Sequence, residues 1–241
     1  MKITVTSSES EFHSRVAWRI VEQALRRPES VIGLSTGRTT GGVHRSLAEI
    51  HAGHPFDVSR MTVFNLDEVT GVDREYFGSC YYMILHEVVL PLGIPMEHFL
   101  MPPTRSDDFA RECTDFEHAI AARGGIDLMV LGIGENGHLG FNQPGTPFGQ
   151  TTWLSRMDKD LDTRIRRETN SSAEADLGGI TIGIRNIMHS RRIVLAANGA
   201  RKAAIVRAAL QGPVDPSVPA SVLQLHPDCE VILDSAAAAA L

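Results

Sequence analysis

The chain has 241 residues, 43% hydrophobic and 22% charged, with a formal net charge of -6 at pH 7. That length buries a sizeable core and suits one α/β domain, while the acidic balance argues against a general nucleic-acid surface. Cys80, Cys113 and Cys229 are too few and too scattered for a disulfide framework or a four-cysteine zinc site. No apolar run approaches membrane-spanning length, and residues 1–13 alternate polar and apolar types without the apolar core of a signal peptide. The expected setting is a reducing cytoplasm, with no membrane and no nucleic acid among the partners.

Residues 11–26 carry helical periodicity, and residues 30–34 form the first apolar run that reads as a strand. A helix follows at 40–51, a strand at 61–66, and helices at 79–89 and 107–123. Strands at 126–131, 192–196 and 230–233 complete the set, with a helix at 200–210 before the last. Strands separated by helices predict an α/β fold with a mostly parallel sheet and helical crossovers. No internal repeat or linker divides residues 1–234, which read as one domain. The tail at 235–241, with five consecutive alanines, reads as a frayed end outside the functional argument.

In open α/β sheets ligands bind beyond the carboxyl ends of the strands, and four polar clusters stand at such ends. Ser35-Thr36-Gly37-Arg38-Thr39-Thr40-Gly41-Gly42 follows the first strand and enters a helix. It offers N–H groups, hydroxyls and a helix amino terminus to an anion, or merely caps the helix; it lacks the Gly-Lys-Ser/Thr of a P-loop. Asn65-Leu66-Asp67-Glu68 follows the second strand. A partly buried carboxylate there can accept a proton, or else cap a helix or pair at the surface. Adjacent side chains on extended backbone point opposite ways, so only one of Asp67 and Glu68 is expected to face a pocket.

Residues 132–145, after the strand at 126–131, are glycine-rich around His138, a candidate acid or base or a hydrogen-bonded loop residue. After the strand at 192–196, Lys202 can reach a bound phosphate as a point charge, while Arg201 is as readily solvated. Together these supply an anion cradle, a carboxylate base, a histidine and a cation on one rim of one sheet. That is the inventory for proton transfer on a sugar phosphate.

At these residues the sequence resembles the glucosamine-6-phosphate deaminase and galactosamine-6-phosphate isomerase family, with 6-phosphogluconolactonases as more distant relatives. The match spans about residues 31–234 and is carried by Gly33-Leu34-Ser35-Thr36-Gly37, Phe64-Asn65-Leu66-Asp67-Glu68 and residues 134–145. Ile180-Thr181-Ile182-Gly183, Arg201-Lys202-Ala203 and residues 219–226 extend it. The resemblance implies a modified Rossmann-like fold needing no redox cofactor and no metal. It also implies a reaction that opens the sugar ring, moves a proton between C2 and C1, and releases ammonia hydrolytically. By position, Asp67 matches the base and His138 the residue that assists ring opening. Lys202 and the turn Ser35, Thr36, Gly37, Arg38 and Thr39 match phosphate-binding positions.

Three departures mark the chain. Asn136 and Gln143 stand where the glucosamine-type deaminases carry carboxylates that orient and charge the histidine, and Thr169 falls at their phosphate-binding arginine. An amide can orient an imidazole but does not favour its cation, so His138 is expected to be less basic than its counterpart. Asn136 resembles the galactosamine-type branch, whereas Gln143 departs from both branches; Arg38 is a candidate replacement for the missing arginine. The implied substrate is galactosamine 6-phosphate in preference to glucosamine 6-phosphate. A lactonase in which His138 activates water, and a sugar-phosphate sensor without turnover, are the alternatives. The chain ends soon after Asp234 without the longer extension of the family's regulated hexamers, so hyperbolic kinetics are expected; self-association is left open.

Overall fold

The structure is a computed structural model and describes residues 1–157 and 159–241. Its main sheet contains β1 (Lys2–Thr6), β2 (Val31–Leu34), β3 (Thr62–Asn65), β5 (Phe99–Leu100), β6 (Leu128–Gly132), β9 (Arg192–Ala197) and β10 (Cys229–Asp234). These seven lie in the order β1-β10-β9-β6-β2-β3-β5, every neighbouring pair parallel. The helices are α1 (Glu9–Arg26), α2 (Arg38–Gly53), α3 (Cys80–Ile84), α4 (Leu90–Leu92), α5 (Phe109–Ala122), α6 (Lys159–Thr169), α7 (Ile184–Met188) and α8 (Ala203–Gln211). The expected parallel α/β architecture is thus the observed one.

Strand alternation sorts the core into two layers. Ile32 and Leu34 of β2, with Leu128 and Val130 of β6, face Phe12, Val16 and Ile20 of α1 and Val43 and Leu47 of α2. Val31, Met129 and Leu131 face the other way, toward Phe116 and Ile120 of α5 and Val206 and Ala209 of α8. The α1 stripe recurs every four residues, and the helix starts where Ser8 accepts from the Glu11 N–H at 3.1 Å. A parallel strand covered on both faces must be apolar throughout, which is why these runs are legible in the sequence.

Several elements differ from expectation. Residues 1–13 contain the edge strand β1 and the start of α1. The helix expected at 79–89 begins as α3 and widens into a π turn over Leu85–Val89 ahead of α4. Pro91 lacks an N–H and its ring would crowd the carbonyl four residues earlier, so the regular ladder cannot run through it. A second, antiparallel sheet, β4 (Asp67–Thr70), β8 (Gly178–Thr181) and β7 (Trp153–Ser155), was not foreseen. The tail does not fray: Ser235 Oγ donates to Thr6 O, the Ala237 N–H donates to Asp234 Oδ1 at 2.7 Å, and Ala237 is buried.

The strand order places the site. From β2 the chain proceeds outward through β3 to β5, then returns to the opposite side of β2 with β6 and continues to β9. The crevice beyond the carboxyl ends of β2 and β6 is therefore the topological switch point, where open sheets of this kind bind ligands.

Candidate active site

The turn after β2 is tied into this crevice by its hydroxyls. Ser35 Oγ donates to Val130 O at 3.1 Å and accepts from Gly132 N at 3.2 Å, joining the ends of β2 and β6. Thr36 Oγ1 donates to Cys80 Sγ at 3.2 Å, and Thr39 Oγ1 to Asn198 Oδ1 at 2.7 Å. The three hydroxyls expected to serve an anion are thus engaged by the protein itself. What the turn offers an anion is the amino terminus of α2. Gly37 stands at its N-cap without a side chain to satisfy the first N–H groups, and its φ of 150° is rare for any residue with a Cβ.

Two cations flank that terminus. Arg38 is exposed at the first helical position, whereas Lys202 is half-buried and donates from Nζ to Ile133 O at 2.6 Å. Desolvation holds the Lys202 pKa below its ordinary value; the Glu135 charge opposes this, and the charges of Arg201 and Arg38 add to it. Arg201 itself is exposed and pairs with Glu135 at 3.3 Å, the solvated alternative. Thr169 ends α6 with its hydroxyl on Ile165 O and Ser171 Oγ.

The two acids after β3 diverge as their alternation requires. Glu68 is fully buried and accepts from the backbone N–H groups of Val69, Cys80 and Tyr81 at 2.7 to 2.8 Å, receiving the start of α3. Its pKa is nevertheless raised to about 7, because burial outweighs these hydrogen bonds. Asp67 is 6% exposed, and its Oδ1 accepts from Asn65 Nδ2 at 2.9 Å and from the Cys80 thiol at 3.5 Å. Burial raises the Asp67 pKa to about 6 against those two donors. Desolvation is what lifts the value, bringing the pKa of this carboxyl close to neutral pH.

The histidine loop closes over Asp67. Gly140 has φ +58°, and a Cβ there would stand 2.7 Å from Leu66 Cδ2, 2.8 Å from Thr181 Oγ1 and 3.0 Å from Asp67 Oδ2. Only glycine lets this backbone approach the carboxylate so closely. His138 lies two residues earlier, half-buried, with its ring packed over Gly134. Asn142 pins the loop to the second sheet by donating to Leu139 O and Ile182 O, both at 2.8 Å, and accepting from Trp153 Nε1 at 3.1 Å. Asn136 Oδ1 accepts from the His138 backbone N–H at 3.1 Å, and Asn136 Nδ2 donates to Gln143 Oε1 at 3.0 Å. These bonds of the two amides shape the loop.

The structure therefore brings Asp67, the histidine loop, the α2 terminus and Lys202 to one rim. Sequence reasoning overlooked Asn65, Cys80 and Thr181 as partners of the base. Cys80 lies thirteen residues beyond Asp67, across a loop without periodicity, so nothing local announces it. A cleft of about 390 Å³ between α5 and β7, lined by Phe109, Cys113, Glu117 and Thr152, shares none of these residues.

Comparison with known proteins agrees with this geometry. The family model described as glucosamine-6-phosphate isomerases/6-phosphogluconolactonase matches residues 7–232. A glucosamine-6-phosphate deaminase of Clostridium botulinum (strain Loch Maree / Type A3) is 36% identical over 241 residues, covering 100% of this chain and 99% of that protein. One of Clostridium novyi (strain NT) is 35% identical over 241 residues, the whole of both. Among solved structures, a monomeric glucosamine-6-phosphate deaminase superposes with a TM-score of 0.93 at 30% identity, covering 100% of both chains. A 6-phosphogluconolactonase from Trypanosoma brucei reaches a TM-score of 0.79 at 19% identity over 100% of this chain and 98% of that one, a likeness of fold alone. The chain belongs to the glucosamine-6-phosphate isomerase/6-phosphogluconolactonase family.

Proposed function

We propose that the chain converts a 2-amino-2-deoxyhexose 6-phosphate, water being consumed, to a ketohexose 6-phosphate and ammonia. The single observation that carries this reading is Asp67: a buried carboxyl held near pKa 6 beside the glycine-rich histidine loop, in a chain of this family. At pH 7 such a group is mostly ionised yet costs only about 1.4 kcal/mol to protonate, whereas one at its ordinary value costs about 4 kcal/mol. A group that must take a proton from one carbon and return it to the next needs that balance.

The sugar phosphate sits with its phosphate at the α2 terminus between Arg38 and Lys202. His138 exchanges a proton with the ring oxygen or anomeric hydroxyl, releasing the open-chain aldehyde. Asp67 then removes the C2 proton and delivers it to C1, leaving a C2 imine. Water adds to C2, and the amine leaves as ammonia. Asn136 and Gln143 hold the histidine loop in shape. Gln143 Nε2, buried and without a hydrogen-bond partner among the described residues, is a spare donor within the site.

Glucosamine 6-phosphate is the substrate we name first, because the relatives at 35% and 36% identity act on it by name. Galactosamine 6-phosphate is the second reading, favoured by Asn136. An ammonia-release assay over both sugars, with 6-phosphogluconolactone beside them, tests the proposal. Ammonia from either sugar supports the isomerase-deaminase reading and ranks the two. Lactone hydrolysis without ammonia, or saturable sugar-phosphate binding without turnover, refutes it.

A further inference from the structure

Asp67 uses its two oxygens differently. Oδ1 is held by Asn65 Nδ2 at 2.9 Å and the Cys80 thiol at 3.5 Å, while Oδ2 lies against Gly140 on the histidine loop. The same thiol accepts the Thr36 hydroxyl at 3.2 Å. A chain of donors therefore runs from the anion-binding turn to the base: Thr36 to Cys80, and Cys80 to Asp67. Its links come from three elements, the turn after β2, the start of α3 and the start of β4.

We propose that Cys80 is a positioning residue for the base: its thiol fixes Oδ1 so that Oδ2 is the oxygen presented to the sugar, and its bond from Thr36 ties that orientation to the anion-binding turn. The inference rests on the reading of Asp67 as the base. Burial, with the charges of Glu68 and Asp67 adding to it, drives the thiol pKa well above its ordinary value, so the group stays a donor at working pH. Among the described residues, the titratable groups against Asp67 are Glu68 on its own strand and Cys80 on α3. The turn after β2 contributes the neutral Thr36, β3 the neutral Asn65, β8 the neutral Thr181, and the loop after β6 contributes Gly140 with His138 two residues away. A phosphate drawn to the α2 terminus binds on the turn that carries Thr36, which is linked through Cys80 to the base. Its occupancy is then felt at the base, so that a phosphorylated sugar gains in kcat and not only in KM.

The test compares Cys80→Ala, Cys80→Ser and Thr36→Val with wild type. Three readouts are used: ammonia-release kinetics against pH, the same kinetics on unphosphorylated amino sugar, and the carboxyl titration of Asp67 by carbon NMR without substrate. Cys80→Ala removes a hydrogen bond that favours the carboxylate. The acid limb and the carboxyl titration should both move to higher pH by about half a pH unit or more, with kcat falling about tenfold and KM changing less than about twofold. Cys80→Ser keeps a donor and should return both titrations and most of kcat. Thr36→Val should lower kcat on the phosphorylated sugar by a larger factor than on the unphosphorylated sugar. A wild-type titration in Cys80→Ala, or a folded Cys80→Ser as impaired as Cys80→Ala, overturns the proposal, whatever either variant does to melting temperature. The NMR titration needs no turnover, so it separates failure of this inference from failure of the functional reading, which shows as absence of ammonia from wild type.

Discussion

At the residue scale the account turns on how closely backbone and carboxylate approach. Gly140→Ala should cost at least about a hundredfold in kcat, since the new methyl meets Leu66, Thr181 and Asp67 Oδ2 at 2.7 to 3.0 Å on a backbone of φ +58°. Steady-state kinetics beside a melting curve check this; a folded variant with wild-type kcat would show that the loop need not lie on Asp67. Asn136→Asp with Gln143→Glu replaces an amide pair bonded at 3.0 Å by two carboxylates near His138. The His138 titration should rise, seen by histidine-resolved NMR, because nearby negative charge favours the imidazolium. An unmoved titration would mean that positions 136 and 143 act on the loop backbone alone. The roles proposed for Asp67 and His138 were open to inference from the sequence because each follows a buried strand. The direction of Glu68 was half legible: alternation separates it from Asp67, but its capping of α3 depends on a loop that brings Cys80 and Tyr81 back to it.

At the scale of elements, the proposed function makes the α2 amino terminus and the Lys202 turn one anion-binding unit. Lys202→Ala and Arg38→Ala should each weaken binding of the phosphorylated sugar, and the double variant should lose less than the sum, because both charges meet one anion. Calorimetry on phosphorylated and unphosphorylated sugars measures it. If Arg38→Ala weakens both equally or neither, Arg38 is not a phosphate ligand. The five strands foreseen are those buried on both faces, whose sequences are continuous apolar runs. Those missed had no such signature. β4 reads Asp-Glu-Val-Thr, β8 opens on Gly178-Gly179, and β7 is three residues long. They are strands because Asp67 pairs with Thr181 and Leu154 with Ile180, partners far apart in sequence. β1 was missed for a related reason: as an edge strand it leaves Ile3 and Val5 exposed, so its composition does not declare a core. The tail misled by composition, since five alanines suggest fraying while Asp234 and the buried Ala237 anchor them.

For the whole molecule, the buried acids tie stability to pH in opposite directions. Asp67 and Glu68 have folded pKa values raised to about 6 and about 7, so the folded state binds more protons than the unfolded one and their contribution falls as pH rises through about 4 to 7. Glu230, whose pKa is lowered first by its hydrogen bond from Arg19 and further by the Arg19, Lys2 and Arg192 charges, stabilises above the ordinary carboxylate range and loses that as pH falls. Asp67→Asn should therefore stabilise the protein at pH 8 by as much as about 3 kcal/mol relative to wild type, because each pH unit separating the folded from the unfolded pKa is worth about 1.4 kcal/mol, and by little at pH 4. Denaturant unfolding at the two pH values checks this, and an equal difference at both would deny Asp67 its raised pKa. Gaining stability while losing turnover is what a buried charge kept for chemistry predicts. The central claim is tested most directly by counting products: wild type and Asp67→Asn are incubated with glucosamine 6-phosphate in heavy water, with ammonia, ketohexose 6-phosphate and deuterium exchange at C2 followed together and affinity measured by calorimetry. The account predicts ammonia and ketose in a one-to-one ratio from wild type, and loss of both and of exchange in Asp67→Asn with affinity within a few fold. Wild-type exchange and ammonia release by Asp67→Asn would contradict it.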